Sequence, residues 1–187
     1  MNQRRSFLKS SVVLASTLGL PAAARAADVA AAAAAASAAP NERVLRFYNT
    51  HTGESLRSIF WADGQFIPDA LKDINKVLRD HRNNQVAQID PQLLVLLDKV
   101  SAQFGSQNVL HVISGYRSPE TNQMLHEHSN GVAKHSMHME GKAIDIRMPG
   151  RNLADLHKVA MSLRGGGVGY YPDSQFVHMD TGRVRYW

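Results

Sequence analysis

The sequence predicts an α+β domain in which helices pack on a small, mainly antiparallel sheet. Three observations lead there. A β-rich hairpin opens the domain, the long helical patterns follow it, and three short strands separated by Gly and Pro close it. No segment repeats, so a solenoid or propeller is not expected.

The N-terminal residues are set apart from the fold. Arg4-Arg5-Ser6-Phe7-Leu8-Lys9 is a twin-arginine pattern, followed by an uncharged run from Ser10 to Leu20 and the small-residue site Ala24-Arg25-Ala26. That run is shorter than the roughly 20 apolar residues a membrane span needs. Residues 1–26 therefore read as a signal peptide cleaved before Ala27, which implies export to the periplasm and no membrane span in the mature chain. Residues 27–42, alanine-rich and ending near Pro40, read as a flexible linker with no apolar stripe to bury. Residues 43–187 form one domain.

Val44, Phe47 and Tyr48, then Ile59, Phe60 and Trp61, flank the turn signal Asn49–Gly53 and make the hairpin. Behind Pro68-Asp69, the spacing of Leu71, Ile74, Val77 and Leu78 predicts a helix to about Arg82. A second helix runs from Asp90-Pro91 to near Gly105, burying Leu93, Leu94, Leu97 and Val100. Val109–Ile113 is a strand, Pro119 to about His126 a short helix, and Ala143–Ile146 a central strand. Leu153, Leu156, Ala160 and Leu163 mark a last helix, before strands at 168–171, 175–180 and 184–187.

Composition excludes several functions. The whole chain has 21 Lys and Arg against 16 Asp and Glu. Four of the basic residues (Arg4, Arg5, Lys9 and Arg25) lie in the signal, leaving 17 against 16. A near-neutral mature chain gives no basic patch for nucleic acid. With no cysteine there is no disulfide, and any metal must be held by His, Asp or Glu.

Three segments carry chemistry. In Ser136–Asp145, Gly141 lets a loop His138 and a strand Asp145 converge, and Asp145 sits in an apolar run where an ionised carboxylate must be paired or bound to metal. Either a salt bridge or a metal would satisfy it. In Phe176–Asp180, His178 and Asp180 share one face of a strand. His138, Asp145 and His178 together make the open three-ligand set of a catalytic metal. In Ser114–Pro119, Arg117 at a strand end is either a solvated loop charge or a fork for a carboxylate or oxyanion.

These segments resemble the zinc D-alanyl-D-alanine peptidases, the group that shares its site with lysostaphin-type enzymes and the hedgehog signalling domain. The family pattern is met at Ser136, His138, Gly141, Ala143 and Asp145, with His178 downstream and Arg117 in a Ser-Gly-Tyr-Arg-Ser setting. Gly166–Pro172, Phe176–Gly182 and the ending Tyr186-Trp187 resemble the periplasmic murein endopeptidases within that group. The resemblance implies that the sheet carries a zinc site held by His138, Asp145 and His178, and that the substrate is a peptidoglycan cross-link peptide, with 3-3 diaminopimelate linkages favoured over 4-3.

The chain departs from many relatives at the base. Phe176 and Gln175 stand where a His or Glu is common. Asp180 is the expected base because its strand fixes its distance to the metal, with Asp173, Glu140 and His135 as alternatives; Arg117 is the expected second catalytic residue. A stem-peptide carboxypeptidase, a non-catalytic zinc-containing binding module and a metal chaperone using His126–His138 are the competing readings. The chain is expected to work as a monomer.

Overall fold

The computed structural model describes residues 42–105, 107–128 and 132–187. The expected signal peptide and linker lie outside the described residues, apart from Glu42, which opens the first strand. No helix among the described residues is long and apolar enough to cross a membrane.

Strands β1 (Glu42–Asn49) and β2 (Ser55–Ala62) form the hairpin, extended by a two-residue β3 (Gln65–Phe66). The turn closes on Asn49, whose Oδ1 accepts from the backbone of His51 and Thr52, while its Nδ2 donates to the Val77 carbonyl at 2.9 Å. That last bond ties the hairpin to the end of α1 (Pro68–Val77).

Helix α1 stops five residues before the expected Arg82, and the reason is lateral competition for its end. The Val77 carbonyl is taken by Asn49, and the Leu78 carbonyl accepts from Tyr116 N at 2.7 Å. The buried Asp80 carboxylate then accepts from Arg82 N and Ser118 N. A further helical turn would have to give up these bonds, so the chain leaves the helix.

Next come α2 (Pro91–Gln103), β4 (Leu110–Ser114) and α3 (Pro119–His128), followed by a 3₁₀ turn at Met137–Glu140. The chain ends with β5 (Ala143–Arg147), α4 (Leu153–Ser162), β6 (Gly167–Tyr171), β7 (Phe176–Asp180) and β8 (Arg185–Tyr186). All eight strands join one sheet in the order β3-β2-β1-β4-β5-β7-β6-β8. The sheet is larger than the small one expected. The hairpin does not stand alone; β1 pairs in parallel with β4, joining it to the C-terminal strands. The pairings are mainly antiparallel, with β1–β4 and β6–β8 the two parallel exceptions.

Strand alternation sorts the side chains. Ile144, Ile146, Val177 and Met179 join the helix-covered core with Leu45, Phe47, Leu110 and Val112. On α2, Leu93, Leu94, Leu97 and Val100 are fully buried there, each worth roughly 1.5–3 kcal/mol of transfer free energy. Asp145, His178 and Asp180 hold the alternate positions of β5 and β7, so they project from the other face.

Candidate metal centre and its cleft

The register places Asp145 of β5 directly opposite His178 of β7. His138 arrives from the 3₁₀ turn. Ser136 caps that turn by accepting from His138 N at 3.3 Å, and Gly141 ends it in the left-handed region at φ 66°. A Cβ on Gly141 would run into the Gln88 carbonyl, so the position needs glycine for space as well as for conformation. Ala143 is fully buried opposite Asp180. Each element of the Ser-x-His-x-x-Gly-x-Ala-x-Asp pattern therefore has a local structural job.

Three atoms converge. His138 Nε2 lies 3.3 Å from both His178 Nδ1 and Asp145 Oδ1, and His178 Nδ1 lies 2.9 Å from Asp145 Oδ1. The outer ring nitrogens are committed elsewhere. His138 Nδ1 faces the Gly115 carbonyl at 2.7 Å, and His178 Nε2 faces Asp180 Oδ2 at 3.0 Å. A carbonyl and a carboxylate can only accept, so both outer nitrogens carry hydrogen and donate. In neutral rings the two inner nitrogens then hold lone pairs beside a carboxylate oxygen, an arrangement only a cation can stabilise.

A tetrahedral ion with ligands at about 2.0–2.1 Å spaces them about 3.3–3.4 Å apart, which two of the three separations match. This donor set fits a metal ion. With no ion bound, a proton on His178 meets the same need. Burial opposes ionisation of Asp145, but the charge of His138 and hydrogen bonds from both imidazoles hold its carboxyl well below the usual range. Burial likewise pulls His178 down, yet Asp145 and Asp180 outweigh it and push the imidazole up to about 9.

Asp180 is placed differently from a base poised for proton transfer. It is fully buried, does not line the cleft, and has both oxygens occupied. Oδ1 accepts from Gly167 N, Gly182 N and Arg185 Nη1, while Oδ2 accepts from His178 and from Arg185 Nη2 at 2.7 Å. Despite desolvation, these donors hold its carboxyl well below the normal range. Asp173 is exposed and outside the cleft, and Glu140 is paired with Lys142 at 2.8 Å. Of the four expected proton carriers, His135 is the one that lines the cleft, exposed at its rim.

Arg117 also lines the cleft, but it is not the solvated loop charge its position allowed. Its guanidinium is partly buried, with Nε enclosed and lacking an acceptor; Nη1 reaches Asn122 Oδ1 at 3.3 Å and Nη2 reaches Ser114 Oγ at 3.5 Å. Burial lowers its pKa, partly offset by the Asp145 charge. The guanidinium therefore has neutral acceptors only, an arrangement chemically able to receive an anion.

Several residues in or behind the cleft were not singled out as site residues from the sequence. Asn122 is buried on α3, holding Arg117 with its oxygen and the Ala133 and Lys134 carbonyls with its nitrogen. Arg185 pairs with Asp180, and Tyr171, Phe176 and Trp187 form an aromatic wall beside His178. A lone Asn on a short polar helix carries no signal; the aromatic and Arg positions sit where the alternation of β6–β8 could have shown a shared face. His126 and His128 instead bond backbone carbonyls at the surface, away from the three converging atoms.

A family model described as peptidoglycan L,D-endopeptidase MepK matches residues 37–187. The chain is similar to the peptidoglycan L,D-endopeptidase MepK of Escherichia coli (strain K12), 43% identical over 150 residues, 80% of this chain and 82% of that protein. It is similar also to a protein of Haemophilus influenzae named "Probable peptidoglycan L,D-endopeptidase MepK", 46% identical over 151 residues, 80% of this chain and 81% of that one. No solved structure gives a significant match.

Proposed function

This chain belongs to the peptidoglycan L,D-endopeptidase MepK family, and from that premise we propose that it is a zinc-dependent periplasmic endopeptidase that hydrolyses 3-3 diaminopimelate cross-links of peptidoglycan. The observation that carries the reading is the convergence of His138 Nε2, His178 Nδ1 and Asp145 Oδ1 in a cleft also lined by Arg117, whose guanidinium has neutral acceptors but no carboxylate partner. The L,D designation of the relatives supports the 3-3 choice. The bond there joins an L-centre carbonyl to a D-centre amine, whereas both flanking centres of a 4-3 link are D. The twin-arginine pattern at Arg4-Arg5 supports export.

His138, Asp145 and His178 would hold the zinc. The ion supplies Lewis acidity and a water acidified toward pKa ~7. Asp180 holds the His178 ring so that Nδ1, not Nε2, faces the centre; that is a positioning role, and it replaces the proton transfer expected from sequence. His135, the imidazole at the cleft outside the ligand set, would take a proton from water and return it to the leaving amine. Arg117 meets the developing oxyanion or a stem-peptide carboxylate with its planar fork.

The test is digestion of purified 3-3 and 4-3 cross-linked muropeptide dimers, with and without chelator, read by mass spectrometry. Chelator-sensitive cleavage of the 3-3 dimer to monomers is expected. Release of terminal residues alone would make the protein a carboxypeptidase, and binding without cleavage would make it a binding module.

A further inference from the structure

The aromatic wall of the cleft contains a hydroxyl whose proton no described protein group accepts. Trp187 Nε1 donates to the Tyr171 hydroxyl oxygen at 2.7 Å. An indole N–H cannot accept, so this bond fixes the direction of the pair: the Tyr171 oxygen is the acceptor, and its own proton must point elsewhere. Among the described residues no hydrogen bond uses that proton, although Tyr171 lines the same cleft as His138, Asp145, His178 and Arg117.

The phenol is held firmly. Its ring stacks on Phe176 with centroids 4.6 Å apart, and Phe176 is its cross-strand partner on β7. Trp187 is held as well. Its indole lies across Gly169, where a Cβ would come within 2.6 Å of Cε2, and Gly169 is paired in register with His178. Arg185 stacks over the indole at 4.9 Å while its other contacts hold Asp180. A connected set of side chains thus runs from the carboxylate that orients His178 to the hydroxyl of Tyr171. Tyr171 and Gly169 lie two residues apart on one strand face, which puts the Tyr171 Cα about 7 Å along the strand from the position opposite His178.

We propose that Tyr171 is a catalytic residue whose hydroxyl, aligned by Trp187, donates a hydrogen bond to the scissile carbonyl oxygen as it becomes an oxyanion. No bond to the phenol forms or breaks; the proton stays on Tyr171 while negative charge grows on the substrate oxygen. A preorganised donor of this kind strengthens its bond in the transition state and so acts on kcat rather than on substrate binding. Its alignment by a second donor removes the reorganisation that a freely rotating hydroxyl would need.

The inference rests on the peptidase reading, and the experiment separates the two. Kinetics on a purified 3-3 cross-linked muropeptide dimer are measured for wild type, Tyr171→Phe, Trp187→Phe and Gly169→Ala, with zinc content and melting temperature in parallel. Failure of the wild type to cut would defeat the peptidase reading itself. With an active wild type, Tyr171→Phe should lower kcat and kcat/KM together by about 10²–10³, with KM and zinc content unchanged. Trp187→Phe and Gly169→Ala, which spare the phenol but lose or displace its aligning donor, should each lower kcat by roughly tenfold. A Tyr171→Phe enzyme with wild-type kcat, or one altered only in KM, overturns the proposal. Should Tyr171→Phe lose its zinc, Trp187→Phe decides: unchanged kcat there overturns the proposal as well.

Discussion

Replacing Asp180 by Asn separates an orienting carboxylate from a base, and the structure sets the scale. Every atom facing Asp180 is a donor: two backbone amides, two guanidinium nitrogens and His178 Nε2. Whichever way the amide is turned, its NH₂ meets donors. The less costly choice puts it against His178 and Arg185 Nη2, on the side with fewer donors. His178 can then satisfy the amide only by moving its proton from Nε2 to Nδ1, the atom 2.9 Å from Asp145 Oδ1 and the one proposed to bind the metal. Loss of such an outer partner weakens metal binding by about 10–100-fold, or about 1.4–2.7 kcal/mol. The Arg185 pair, nearly dry on the Asp180 side and 30% exposed on the other, breaks at the same time. A fully buried pair would cost about 3–5 kcal/mol, so about 3 kcal/mol is expected here, a fall of roughly 6–12 °C in Tm. Competition against a chromophoric chelator measures the affinity, and thermal melting the stability. An Asp180→Asn protein that binds zinc as tightly as wild type, yet loses kcat and one limb of its pH–rate profile, would refute the orienting argument and restore Asp180 as the base.

Arg117→Ala should keep zinc and melt near wild type, because it removes a desolvated cation that has no carboxylate partner, while kcat/KM falls by about 10²–10³. Arg117→Lys should recover only part of this loss, since a point charge lacks the fork; full recovery would show that charge alone matters. Gly141→Ala meets both the φ of 66° and the Gln88 carbonyl, so it should destabilise by about 2–4 kcal/mol and loosen metal binding, with calorimetry and metal analysis as the checks. His81 stacks on His51 at 3.8 Å, and burial, then His51 and Arg82, lower its pKa to about 4. Its folded pKa is depressed, so the unfolded chain binds the extra proton; the neutral ring's contribution is complete above about pH 6.5 and lost as pH falls toward 4. After allowance for its solvent exposure that contribution is about 1 kcal/mol, so the Tm of His81→Gln should fall less than that of wild type over this window.

The sequence by itself determined what depends on short-range pattern. Pro68 and Pro91, with the apolar spacing behind them, located the starts of α1 and α2, and Asn49–Gly53 located the hairpin turn. The ten-residue pattern at Ser136–Asp145 singled out His138 and Asp145, because a cap, a left-handed glycine and a buried alanine must stand at set offsets for a turn and a strand to bring these two side chains together. Only the tertiary structure decided the rest. Helix α1 ends early because Asn49 and Tyr116, distant in sequence, take its last carbonyls. The sheet reaches eight strands because β1 pairs in parallel with β4 across 61 residues from Asn49 to Leu110. Asp180 shares the strand face of His178, as alternation required, yet its two oxygens are filled by Gly167, Gly182, Arg185 and His178, so under the proposed function a residue that looks like a base from its position acts as a support. Arg117 changes in the opposite sense: a loop residue by sequence, it is enclosed by α3 and the 3₁₀ turn and left without a counter-ion. Periodicity reports which face a side chain occupies; the partners that meet it there come from segments far along the chain, and those partners set its protonation, its hydrogen bonds and its chemistry.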